Sequence, residues 1–70
     1  MSNSTPDALN GLEDDYMLNR KMVERVTSLS RATIYRMMGR KEFPRGHKLS
    51  TNRVGWSVGE IRHWLRSRTR

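Results

Sequence analysis

The stretch SRATIYRMMGR, residues 30–40, decides the fold that this sequence predicts. Ser30 is a favourable N-cap, because its side-chain oxygen can accept a hydrogen bond from a free backbone N–H in the first helical turn. At 100° per residue, Ile34, Met37 and Met38 fall on one side, while small and basic residues fall on the opposite side. The pattern therefore predicts a helix over residues 31–40 that turns only one side toward the core.

A shorter helix is predicted immediately before this one. Asn19 is a second good N-cap, and apolar residues recur at helical spacing from there to Val26. We expect this helix to end near Thr27, with residues 28–29 forming the turn. Two short helices joined by a tight turn, the second with a narrow and basic outer side, indicate a helix-turn-helix.

Beyond Pro44, which a helix interior does not tolerate, the apolar pattern changes. Lys48-Leu49 and Val54-Gly55-Trp56 flank the polar cluster of residues 50–53, which is typical of a hairpin turn. Ser57 then opens a third helix, with Glu60 at the spacing of a capping box. The predicted fold is mainly α with a small β-hairpin wing, a winged helix-turn-helix.

The third helix combines an apolar stripe with a basic outer side. Trp64 lies on the stripe and Trp56 ends the second predicted strand, so both are interpreted as core anchors rather than platforms for stacked bases. We expect the arginines of this helix to add affinity for a polyanion. They are Arg62, Arg66, Arg68 and Arg70.

The charge of the chain is large and unevenly placed. The net charge is +7 and the pI is about 11.1. Residues 1–15 contain four acids and no Lys or Arg, so they carry −4, whereas residues 16–70 carry +11 from 14 basic residues and three acids. A compact domain with that surplus favours a polyanionic partner, and nucleic acid is the leading candidate. An anionic membrane surface fits less well, because no helix pairs a basic side with a broad aromatic one.

The composition of residues 1–15 differs from that of the rest. They are rich in Ser, Asn, Thr, Gly and acids, which predicts a disordered acidic tail over residues 1–15 and a DNA-binding domain over residues 16–70.

Several classes of protein are excluded by the residues the chain contains. There is no cysteine, and the only histidines are His47 and His63. No nucleophile has a base beside it, and neither a Gly-rich phosphate loop nor a metal-ligand spacing occurs, so we predict no enzyme, no cofactor and no metal. No run approaches the roughly 20 apolar residues of a membrane span. The expected location is the cytoplasm, at the nucleoid when bound.

The residues predicted to contact DNA lie on the second helix and the wing. Thr33 can offer a methyl to thymine, and Arg36 or Arg40 can reach a guanine with two hydrogen bonds, worth about 1–3 kcal/mol of discrimination. Ser30, Arg31 and Tyr35 are expected to contact phosphates, which position the protein without reading sequence. The wing residues are expected either to straddle the backbone or to enter the minor groove. The predicted set is Ser30, Arg31, Thr33, Tyr35, Arg36, Arg40, Arg45, Lys48 and Arg53.

Four segments together resemble one known family. They are LSRATIYRMM (residues 29–38), FP (43–44), VGWS (54–57) and EIRHWL (60–65). In this combination they resemble the AlpA family of small phage and prophage regulators, over residues 17–68 of the chain. The resemblance implies a MerR- and excisionase-like winged helix-turn-helix with its recognition helix at residues 31–40 and its wing between residues 45 and 54. The acidic segment before Tyr16 is not part of the family pattern.

The predicted function is sequence-specific DNA binding in a phage or other mobile element. The resemblance implies a transcriptional regulator, a recombination directionality factor (excisionase), or both. The predicted partners are double-stranded DNA, an integrase or recombinase, and further copies of the chain at repeated sites, with no membrane. Two alternatives stay open: an RNA-binding basic protein, and a module that docks an integrase with little DNA contact of its own.

Overall fold

A computed structural model of the chain describes residues 9–68. Its elements are β1 (Met17–Asn19), α1 (Arg20–Thr27), α2 (Arg31–Gly39), β2 (His47–Ser50), β3 (Arg53–Ser57) and α3 (Val58–Arg68). This architecture confirms the predicted fold, which is mainly α with a β-hairpin wing. Residues 1–8 of the predicted tail, and Arg70 of the predicted third helix, lie outside the described residues.

The sheet has three antiparallel strands in the order β1-β3-β2, one more than predicted. Strands β2 and β3 form the wing and are joined by a turn at residues 51–52. Strand β1 pairs with the other edge of β3, where Leu18 lies opposite Trp56 and Asn19 opposite Gly55. Since α1 begins directly after β1, this pairing attaches the wing to the start of the helix-turn-helix.

The predicted caps of the first two helices are present. The Asn19 side chain accepts a hydrogen bond from the Met22 amide at 2.8 Å, and the Ser30 hydroxyl accepts one from the Thr33 amide at 3.2 Å. Between the two helices, Ser28 takes the left-handed conformation, with φ of 62°, and its N–H donates to the last turn of α1. Helix α2 ends at Gly39, one residue before the predicted end, because Arg40 leaves the helical conformation.

The core lies between the sheet and the three helices. Ile34 of α2 is fully buried beside Val23 of α1, while Met37 and Met38 are partly buried against the same cluster. Trp56 is fully buried as predicted, and its indole N–H donates to the Pro44 carbonyl at 2.8 Å. Trp64 is half-buried and packs edge-on against Phe43, with ring centroids 4.8 Å apart. The inner side of α2 is therefore committed to packing, which leaves only its outer side for binding.

Over residues 9–15 the structure differs from the disordered tail that the composition predicts. Leu9 has 0% exposure and belongs to the core cluster. The Arg62 guanidinium donates to the carbonyls of Leu9 and Leu12 at 2.7 and 2.9 Å, and to the Asp14 carboxylate at 2.7 Å. Burial of one leucine and three charge-assisted hydrogen bonds hold this polar segment against α3.

Candidate nucleic-acid interface

A row of hydrogen-bonded polar side chains runs along the outer side of α2. The Ser30 hydroxyl donates to the Thr33 hydroxyl at 2.9 Å, and the Arg36 guanidinium lies 3.5 Å from the same Thr33 oxygen. Ser30 and Arg36 are exposed, and Ala32 beside them has only a methyl group. Because the side chains of Ser30, Ala32 and Thr33 are short, the start of α2 can approach another molecule closely. The longer Arg36 side chain lies next to them.

Two more of the predicted residues flank this row. The Arg31 guanidinium lies 5.9 Å from the centroid of the Tyr35 ring, within the range of a cation–π contact. Tyr35 is 41% exposed. Arg40 is exposed but stands at the C-cap of α2, so it does not extend the helical row that Thr33 and Arg36 begin.

The three predicted wing residues are all exposed. Lys48 lies on β2, Arg53 is the first residue of β3, and Arg45 lies in the segment that leads into β2. The path of that segment depends on Gly46, which has φ of 83°. A Cβ atom at Gly46 would lie 2.8 Å from the Trp56 ring, so the core tryptophan leaves room only for glycine between Arg45 and the wing.

A cleft separates the wing from the helix-turn-helix, and we call it the wing cleft. Of the predicted residues it brings together Arg31, Tyr35 and Arg53, and the others lie outside its lining. It also includes Arg20 and Lys21 at the start of α1, which are not among the residues predicted to contact DNA. Their proximity to the wing depends on the pairing of β1 with β3, so helical periodicity carried no sign of it.

The start of α3 carries a separate polar cluster that supports the fold. The predicted capping box is present: the Glu60 carboxylate accepts from the Ser57 amide at 2.9 Å, and the Ser57 hydroxyl accepts from the Glu60 amide at 3.1 Å. The His47 ring on β2 lies 3.2 Å from both carboxylate oxygens of Glu60. Partial burial opposes ionisation, but the hydrogen bonds from Ser57 and the nearby His47 ring outweigh it and lower the pKa of Glu60.

The arginines of α3 do not all point to an open surface, contrary to expectation. Arg62 holds residues 9–14, and its side chain is only 19% exposed. Arg68 donates to the Glu42 carbonyl at 2.9 Å and lies 5.2 Å from the centroid of the Trp64 ring. Arg66 is exposed.

Two further features are absent from the described part of the chain. Within residues 9–68, no group of three or more His, Cys, Asp or Glu side chains is arranged to hold a metal ion. No helix in the same range is long and apolar enough to cross a membrane.

Comparison with known proteins identifies the family. Residues 16–69 match the family model described as prophage CP4-57 regulatory protein (AlpA), which confirms the resemblance seen in the sequence. Comparisons with curated proteins and with solved structures found no match. The family match spans both helices of the helix-turn-helix, the wing and α3. Because it covers more than half of the chain, the protein belongs to the AlpA family of phage regulatory, DNA-binding proteins.

Proposed function

We propose that the protein recognises a specific DNA sequence by placing the outer side of α2 in the major groove. The observation that carries this proposal is the row of exposed Ser30, half-buried Thr33 and exposed Arg36, on a helix whose opposite side is held to the core by Ile34. A helix enters the major groove only if its outer side is narrow and its inner side is anchored. Helix α2 meets both conditions.

Within this proposal, Thr33 and Arg36 face the base edges. Arg36 offers two donors to the O6 and N7 atoms of guanine, a contact worth about 1–3 kcal/mol against the wrong base. Arg40, beyond the end of the helix, is assigned to a base or phosphate at the edge of the groove.

Contacts with phosphates supply most of the affinity in this proposal. On α2 these contacts come from Ser30, at the start of the row, and from Arg31 and Tyr35 beside it, and the wing supplies further cations. If about six phosphates are neutralised, the logarithm of the association constant falls with the logarithm of the salt concentration with a slope of about −5. The wing residues in this group are Arg45, Lys48 and Arg53.

The family and this mode of binding support a biological role in a phage or other mobile element. We propose that the protein acts in the cytoplasm, at the nucleoid, as a transcriptional regulator of a phage or other mobile element, as an excisionase, or as both. An integrase or recombinase and further copies of the chain on repeated sites are its proposed partners. Footprinting on the ends and promoters of the element separates the roles, since protection of an attachment site indicates excision and protection beside a promoter indicates regulation.

Binding of the full chain to labelled nucleic acids, measured by fluorescence anisotropy over a salt series, tests the proposal. We expect a duplex selected by the protein from a random-sequence pool to bind more tightly than an unselected duplex or a structured RNA. Tighter binding to the RNA would favour an RNA-binding protein. No binding to any duplex, together with capture of an integrase from nuclease-treated extract, would favour a docking module. A flat salt response would overturn the phosphate contacts.

A further inference from the structure

The wing cleft concentrates positive charge from three separate elements. Arg20 and Lys21 come from α1, Arg31 comes from α2, and Arg53 comes from β3. Among the described residues, the lining of the cleft includes no acidic side chain. The charges of the cleft are therefore complementary to an anionic ligand that is long enough to contact both the wing and the two helices.

The position of Lys21 is not explained by the stability of α1. It is the second residue of that helix, whose first turn contains no acidic residue, although the helix dipole favours anions there. Arg20 is compensated by a salt bridge to Glu24 at 2.9 Å, whereas Lys21 is exposed. Helix α3, which does not contribute to the described lining of the cleft, has Glu60 in its first turn instead.

The cleft also has an apolar part, formed by side chains of β1 and β2, the two strands that flank β3 in the sheet. A Cβ atom at Gly55 would lie 2.7 Å from the Leu49 Cδ1 atom and 3.2 Å from the Met17 Cε atom, so these two side chains meet over the glycine. Leu49 nevertheless remains 53% exposed. An exposed leucine between cations suits a ligand that alternates apolar and anionic groups.

From this combination we infer that the wing cleft binds the sugar–phosphate backbone of one DNA strand. Lys21 contacts a phosphate, Arg31 and Arg53 contact the phosphates toward α2 and the wing, and Leu49 packs against deoxyribose. The inference rests on the proposed function and extends the interface to α1. It assigns to Lys21 a role in affinity without a role in base preference.

Neutralising Lys21 and comparing it with a cation outside the cleft tests the inference. Lys21→Gln and the matched control Lys41→Gln each remove the charge of one exposed lysine, from α1 and from the turn that follows α2. Each full-length variant is titrated over a salt series against the duplex selected by the wild-type protein and against an unselected duplex. We expect Lys21→Gln to weaken binding to both duplexes about five- to tenfold at about 0.1 M salt and to reduce the salt slope by about 0.9. Lys41→Gln, which lies outside the lining of the cleft, should change the affinity less than about twofold and leave the slope unchanged.

A second variant separates loss of binding from loss of folding. Lys21→Glu places an acid at the start of α1, where the helix dipole favours it, so its melting temperature should equal or exceed that of the wild type. Its DNA affinity should fall further than that of Lys21→Gln. A variant that is more stable and yet binds DNA less tightly supports a phosphate contact.

The outcomes distinguish this inference from the function on which it rests. If the wild-type protein binds no duplex, the proposed function fails. If the wild type binds but Lys21→Gln keeps its affinity and slope, the wing cleft does not hold the backbone while the proposed function stands. Equal losses in Lys21→Gln and Lys41→Gln would also overturn the inference, because they would show a uniform effect of net charge. A Lys21-dependent preference for structured RNA would overturn the assignment to DNA.

Discussion

Helices α2 and α3 share a similar sequence pattern, but their polar residues have different roles. Each follows a capping serine, turns an apolar side to the core and carries several arginines. In α3, an acid completes the cap, three residues are buried, and two arginines donate to carbonyl groups of the chain. In α2, the first turn has no acid, one residue is buried, and Ser30 and Arg36 are exposed on the outer side.

This difference separates arginines that stabilise the fold from arginines that are free to bind. The Arg62 guanidinium is satisfied by groups far away in sequence, so its contribution is to stability. Within residues 9–68, the Arg36 guanidinium has only a 3.5 Å contact to Thr33 on its own helix, so the fold gains little from it. The proposed interface is therefore placed on α2 and the wing, whereas α3 and the segment that it holds contribute to stability.

The largest effect on stability is expected at Leu9. Leu9→Ala removes a fully buried side chain and leaves a cavity, which costs about 2–5 kcal/mol of the free energy of unfolding. Chemical denaturation followed by tryptophan fluorescence measures this, with half-buried Leu12→Ala as the milder control. An unchanged unfolding free energy for Leu9→Ala would mean that residues 9–15 behave as the disordered tail that the composition predicts.

A smaller loss is expected when the hydrogen bonds of Arg62 are removed. Arg62→Met keeps the aliphatic part of the side chain but breaks the contacts with Leu9, Leu12 and Asp14, at a cost of about 1–3 kcal/mol. Arg36→Met on α2 is the matched control and should change stability by less than about 0.5 kcal/mol. The two variants are compared by thermal unfolding. Equal losses would remove the distinction between the two helices.

The smallest effect concerns the pH dependence at the start of α3. Because the pKa of Glu60 is lowered in the folded protein, its contribution to stability is complete above the ordinary value of 4.5 and is lost as the pH falls through the folded pKa. Melting temperatures between about pH 6 and pH 3 should therefore fall less steeply for Glu60→Gln than for the wild type. Parallel curves would show that the capping box does not depend on the charge of Glu60.

The elements that the sequence predicts are those whose signals are local. Asn19, Ser30 and Ser57 cap helices through contacts within three residues, and the hairpin turn is read from four adjacent polar residues. Strand β1 has only three residues, too few to show alternation, and it is defined by its pairing with β3.

The contacts of Leu9 and the composition of the wing cleft depend in the same way on the tertiary fold. Leu9 lies in a polar segment, yet it is buried in the core cluster, and Arg62, 53 positions away, donates to its carbonyl. Lys21 joins the cleft because β1 sets the start of α1 beside the wing. Neither placement has a periodic signal in the sequence.

The central claim, that the outer side of α2 reads base edges, is tested most directly by selecting duplexes from a random pool with the wild type and with Arg36→Ala. We predict that the wild type enriches a motif containing a guanine, and that Arg36→Ala loses preference at that base pair, a loss of about 1–3 kcal/mol in discrimination. The affinity of Arg36→Ala for unselected duplex should fall only by the amount expected from the loss of one positive charge. Selection of the same motif with the same affinity by Arg36→Ala would contradict the claim.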